Sequence, residues 1–293
     1  MAKRGGYEKD DTRNKFSMIS EKDNKMKTQK EKRAWLKGCL LVISLLIVPM
    51  QARAHNLWLG LDHYNQKVGD TAKVFLYLAH SLPFADLGRP EKMKDFFYLG
   101  PSGEKKDFEL KKYDPKSFFN EVGVDLNMRR EGTYLAVAAM EPLFVSTTPE
   151  GKKRKSKKEL PDAISCRHVG FFAKAIFHAG KPGGTAYKTV LGHIIEMIPQ
   201  KDPCLLKTGD YLPIKVIFKG KPLAGEFIYA TYVGFSTREE YPFATGTDGE
   251  GMARIKILRP GIWWLKVPYK EPHKDKTECD VDQYATILTF EVK

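Results

Sequence analysis

A chain of 293 residues, 42% of them hydrophobic, is long enough for about two domains and can bury a core without staples, which excludes a mini-protein. The formal charge of +13 suggests a nucleic-acid partner only until the first 54 residues are set aside: they hold 13 basic and 6 acidic side chains, so the remainder carries 36 and 30, or +6. Much of that excess is one run, Lys152 to Lys155 with Lys157 and Lys158, and a run without interleaved aromatics reads as a solvated loop, so no nucleic-acid function is expected.

Gly38 to Met50 is the one uninterrupted apolar stretch, and its 13 residues fall short of the roughly 20 that span a bilayer. Lys30, Lys32, Arg33 and Lys37 precede it, and Ala52-Arg53-Ala54 supplies a small-x-small cleavage site. Residues 1–54 therefore read as a leader and secretory signal peptide, removed after Ala54 to leave a periplasmic chain with no stable membrane anchor. Met26 offers a start that gives the signal an ordinary length, and Lys32-Arg33 resembles a degenerate twin-arginine pair. Cys39 leaves with the signal. Cys166, Cys204 and Cys279 remain, an odd number in an oxidising compartment, and the simplest arithmetic is one bridge and one free thiol. The expected bridge is Cys204–Cys279, which would tie the ends of the second β unit.

Beyond residue 55 the period is mostly two, so the class is mainly β. Strands are predicted at Thr71 to His80, Phe96 to Leu99, Phe108 to Leu110, Gly132 to Met140 and Val169 to Phe177. In the last of these Val169, Phe171, Ala173, Ala175 and Phe177 share a face, leaving His168, Lys174 and His178 on the other. Short helical turns fit Lys92 to Phe97 and Pro115 to Glu121. A turn at Gly180 to Gly184 leads into Tyr187 to Ile198, and Pro199 to Pro203 reads as a linker. Leu212 to Phe218, Glu226 to Val233, Ala253 to Ile257, Ile262 to Val267 and Tyr284 to Val292 then alternate between tight turns. The expected architecture is two β-sandwich domains, 55–198 and 199–293, the second immunoglobulin-like or prealbumin-like.

Several stretches carry a family resemblance: an export signal ending before Ala-His-x-Leu-Trp-Leu, a strand ending in His80 followed by Leu-Pro-Phe, EMIPQKDPCLLKTGDYLPIKVIFKGKPLAGEFIYA, TDGEGMARIKILRPGIWWLKV and the closing YATILTFEV. Together they resemble the NikM-like periplasmic proteins, a domain of unknown function associated with cobalt and nickel uptake. The resemblance implies a two-part β protein that handles a divalent transition metal, with a metal-uptake transporter as partner.

Cleavage after Ala54 would give His55 a free α-amine beside its imidazole, a bidentate chelate suited to nickel, cobalt or copper. If the strand from His55 pairs antiparallel with the strand ending at His80, one register places Leu57 opposite Leu78, Leu59 opposite Leu76 and Leu61 opposite Val74, with Trp58 facing Tyr77. The same register sets His55 opposite His80, with Cβ atoms about 5 Å apart. His63 lies about 26 Å further along an extended strand and fails that test. His193, on an apolar face with Leu191, Ile195 and Met197, is the candidate third ligand, against a satisfied core histidine. His168, His178 and His273 read as surface residues, and Asp86 as an oxygen donor at most. The expected function is metal binding or delivery without catalysis. The alternatives are a histidine-brace copper oxidoreductase and a structural or adhesive envelope module without metal. No Ser-His-Asp, HExxH or P-loop signature is present.

Overall fold

A computed structural model describes residues 56–79, 86–87, 93–108 and 123–293. The expected leader and signal at 1–54, His55, His80 and the helical turn expected at 115–121 lie outside them. In chain order the strands are β1 (Asn56–Leu61), β2 (Asn65–Gln66), β3 (Thr71–Ala79), β4 (Asp86–Leu87), β5 (Met93–Leu99), β6 (Lys105–Asp107), β7 (Gly123–Asn127), β8 (Gly132–Met140), β9 (Leu143–Thr148), β10 (Gly151–Lys153), β11 (Ser165–Ala179), β12 (Ile195–Pro199), β13 (Tyr211–Phe218), β14 (Lys221–Pro222), β15 (Phe227–Tyr232), β16 (Phe243–Gly246), β17 (Met252–Lys256), β18 (Gly261–Pro272) and β19 (Val281–Val292). Among the described residues no helix is long and apolar enough to cross a membrane.

The strands form a central sheet ordered β16-β15-β18-β19-β11-β8-β5-β6, with β2, β9 and β10 attached, and two smaller sheets. One small sheet, β1-β3-β4 with β7, covers one face; the other, β12-β13-β14 with β17, covers the opposite face. Strand β8 shows how the sequence builds this. Tyr134, Ala136 and Ala138 enter the core shared with Leu57, Leu59, Val74 and Leu76, while Leu135, Val137 and Ala139 enter the core shared with Ile195, Met197, Leu212 and Ile214. A strand buried on both faces needs a nearly continuous apolar run, and GTYLAVAAM supplies one. Each large aliphatic side chain so buried contributes about 1.5–3 kcal/mol relative to exposure.

The chain is thus two β-sandwiches back to back, with one sheet in common. Strands from either side of the expected 198/199 boundary join in that sheet: β11 and β19 run parallel from Arg167↔Val281 to Ile176↔Phe290. Residues Ala54–Lys293 form one compact unit.

Several strand-level expectations change with this topology. The second face of β11 is not solvent: Phe172 and Ile176 lie in the β12–β13 core, and Lys174 is 2% exposed. Of the helical turn expected at 92–97, Met93 to Phe97 belong to strand β5, whose Phe97 and Leu99 alternate into the core, and Lys92 lies outside the described residues. Strand β6 ends at Asp107, just before the strand expected at 108–110, of which Glu109 and Leu110 lie outside the described residues. In 187–198 only the end is strand, since a 3-10 turn at Ala186–Lys188 and Gly192 at φ +82° break the run.

The β1–β3 register is the one the leucine pattern specifies: Leu57↔Leu78, Leu59↔Leu76 and Leu61↔Val74. On the other face Trp58 and Tyr77 stack with centroids 4.1 Å apart. Gly60 makes room for them, because a Cβ there would lie 2.9 Å from Tyr77 Cε2 and 3.2 Å from Trp58 Cζ3.

Candidate metal centre

Three side chains converge where the β11–β19 and β18–β19 ladders end. His168 stands directly opposite Asp282 in the parallel ladder, and His273 is the first residue beyond the last β18–β19 pair, Pro272↔Val281. His168 Nδ1 lies 2.8 Å and His273 Nδ1 2.9 Å from the same carboxylate oxygen, Asp282 Oδ1. The donor atoms of the three residues fall within 4.8 Å of one another, and among the described residues no other group of three or more His, Cys, Asp or Glu side chains does so.

The surroundings fix the rings. Phe144, the cross-strand neighbour of His168 on β9, stacks on it at 4.6 Å and meets His273 edge-on at 5.9 Å. Tyr284 Oη lies 3.4 Å from His168 Nδ1, and Glu278 Oε2 is 3.6 Å from His273 Nε2. Burial pushes the Asp282 carboxyl up, but hydrogen bonds from His273 and His168 and their charges outweigh it and hold the group below the usual carboxylate range. Burial first, then the neighbouring Asp282, pushes the Tyr284 phenol up. With both Nδ1 atoms protonated, Asp282 accepts two N–H bonds. With both deprotonated, two nitrogen lone pairs and a carboxylate face one point, an arrangement a cation stabilises.

The loop carrying His273 is tied down independently of these side chains. Cys166, two residues before His168, is disulfide-bonded to Cys279, three before Asp282, with Cα atoms 4.9 Å apart. Asp280 accepts from the Cys166 backbone N–H at 2.7 Å and pairs with Lys157, while Lys158 pairs with Asp275 at 2.6 Å. Part of the basic run therefore answers the acidic loop beside the cluster.

A family model described as Domain of unknown function (DUF4198) matches residues 52–271. The chain belongs to this family. No curated protein matches it. Solved structures similar to it include the D0-D1 domain of intimin, at 13% identity over 79% of this chain and 96% of that one, with a TM-score of 0.21. The D00-D0 domain of intimin has 10% identity over 81% and 99%, TM-score 0.20, and murine CEACAM1b has 8% identity over 82% and 98%, TM-score 0.20. Scores this low carry no functional argument.

In this DUF4198 chain the residues singled out from sequence fall in different places. His55 and His80 lie outside the described residues; the last described pair of their ladder is Asn56↔Ala79. His193 is not brought to that ladder. It is buried on the opposite face of the central sheet, against Phe172 at 5.1 Å, with Nε2 3.2 Å from Asp95 Oδ2. Burial pushes its imidazole pKa down, toward the neutral form. His178, expected at the surface, is buried and hydrogen-bonds the Gly180 carbonyl. His168 and His273, also read as surface residues, are half-buried members of the cluster.

The cysteine pairing differs too. Cys204 is free, and its thiol is pushed up by burial and then by Asp202. It feels Glu291 and Lys293, at the far end of β19 from Cys279, roughly 40 Å along an extended strand. Parallel β11–β19 pairing instead brings together the cysteines that precede the two strands' first paired residues. The spacings Cys166-x-His168 and Cys279-x-x-Asp282 were the available sequence signal for the cluster, and they speak only once those two cysteines are known to pair.

Proposed function

We propose that this protein is an exported binder of a divalent transition metal, working in metal delivery or uptake without a reaction of its own, with His168, His273 and Asp282 as ligands. The observation that carries the reading is the convergence of two imidazole Nδ1 atoms on one carboxylate oxygen at 2.8 and 2.9 Å. Two imidazoles with one carboxylate suit nickel, cobalt, zinc or copper(II), whereas calcium and magnesium favour all-oxygen sites. Glu278 beside His273 Nε2 favours a proton on that outer nitrogen, which frees Nδ1 for the metal. A disulfide in the ligand loop and the signal-like leader agree with export. The NikM-like resemblance points to nickel or cobalt, with a metal-uptake transporter as the partner.

A second site is supported by the β1–β3 register. The pair that would follow Asn56↔Ala79 is His55 and His80, and after cleavage at Ala54 the α-amine of His55 would join the ligand set. The two sites separate in one experiment. The mature chain is titrated calorimetrically with nickel, cobalt and zinc beside H168A, H273A, H80A and a form with one extra residue before His55. Loss of an equivalent in H168A and H273A supports the cluster, and loss in H80A and the extended form supports the terminal site. Unchanged binding in all four rejects both.

A further inference from the structure

The three ligands lie where the β11–β19 and β18–β19 ladders end, with His168 paired on its other side to Phe144 of β9. Arg167↔Val281 is the first β11–β19 pair, His168↔Asp282 the second, and His273 has no ladder partner, being held by its N–H to the Asp280 carbonyl at 3.1 Å. Ladder ends open first in a folded protein, because their hydrogen bonds are flanked on one side only. The Cys166–Cys279 bridge closes this end. It joins the residue before Arg167 to the returning limb of the His273 loop, and so spans all the ligand-bearing segments. Neither cysteine belongs to the two main apolar cores, whose residues come from the sheet faces. Cys204 cannot substitute, lying near the opposite end of β19.

We infer that the disulfide conditions metal loading: the site is assembled for tight binding only after Cys166 and Cys279 are oxidised, so the chain acquires its metal in a disulfide-forming compartment and not where it is synthesised. In that step the two thiols give up two electrons and two protons to a disulfide oxidant, which becomes a dithiol, and one S–S bond forms in the chain. The inference rests on the reading of His168, His273 and Asp282 as ligands. The reduced chain keeps the same donors but holds them less rigidly, and loss of outer support at a metal site costs roughly 10- to 100-fold in affinity.

The test compares nickel and zinc affinities of the disulfide-intact mature chain with those of C166S/C279S, well below its melting temperature and with far-UV circular dichroism recorded on the same samples. Serines mimic the reduced state without offering thiolate ligands. The expected result is a folded variant that keeps the wild-type stoichiometry and binds at least about 10-fold more weakly. Equal affinity in the folded variant overturns the inference, and so does a variant that fails to fold, because the bridge would then serve the fold and not the site. H168A/H273A with the bridge intact separates the two ideas. If it binds as wild type does, the ligand assignment fails; if it loses the site while C166S/C279S retains full affinity, only the disulfide inference fails.

Discussion

Replacing Glu196 by alanine tests the packing of the two sandwiches. Lys174 projects from the central sheet into the β12–β13 core and meets Glu196 at 2.7 Å, with side chains 2% and 0% exposed. Glu196 also accepts the backbone N–H groups of Leu191, Gly192 and His193 at 3.0, 2.8 and 3.0 Å, which pins the irregular segment before β12. Removing the carboxylate strands a buried ammonium, at about 3–5 kcal/mol for a broken buried pair. It also leaves N–H groups unmet, at about 1–3 kcal/mol each where water does not enter. We predict a loss of about 4 kcal/mol or more, which at about 2–4 °C per kcal/mol for a chain of this size lowers Tm by about 8 °C or more. K174M should cost less, because Glu196 keeps its backbone donors. Denaturant titration of both variants checks this, and E196A within about 1 kcal/mol of wild type would show that the buried pair does not stabilise the fold. The pH limb is a second check. Burial pushes the Glu196 carboxyl up, but Lys174 and the Leu191 N–H outweigh it, so it titrates below the ordinary value of 4.5. A depressed folded value gives stability that is present above the unfolded pKa and lost as pH falls through the folded one. Wild type should therefore lose this contribution below about pH 4.5, and E196Q should lack that limb.

Three further predictions concern the β1–β3 pair, the cysteines and the site. G60A should push Tyr77 and Trp58 apart and lower stability by about 1–3 kcal/mol, seen as a changed tryptophan emission and a lower denaturation midpoint; an unchanged spectrum and midpoint would contradict the contact. Intact mass and peptide mapping should find Cys166 bridged to Cys279, with Cys204 alkylated more slowly in the folded than in the denatured chain, since its half-buried thiol has its pKa pushed up. Metal affinity should fall as pH falls, because both Nδ1 atoms must give up protons to coordinate; a calorimetric series from pH 8 to 5.5 with flat affinity would exclude imidazole ligands.

The leucines of β1 and β3 made that register legible, because a slip of one residue would have turned every one of them to the wrong face. Strands β13, β17 and the ends of β18 and β19 were legible for the same reason. Strands β8 and β11 were legible as strands but not as the middle layer, since a face covered by a second sheet looks in sequence like a face exposed to water wherever Lys174 or His178 interrupts it. The cluster was legible only through the spacings Cys166-x-His168 and Cys279-x-x-Asp282, and only with the bridge between those cysteines known. His168 and Asp282 are 114 residues apart and meet only through parallel pairing, which no local pattern encodes. Each ligand viewed alone is an ordinary polar residue near a strand end. The cysteine arithmetic yielded the right number of bridges and the wrong partners, because ends of a segment are not neighbours when its last strand runs the length of the sheet.

Metal binding by His168, His273 and Asp282 is decided by the metal stoichiometry of the disulfide-intact chain from His55 onward against H168A/H273A, measured by elemental analysis after equilibration with nickel or zinc and gel filtration. The double variant should stay folded and carry one equivalent less than wild type. Equal metal content in the two proteins would contradict it.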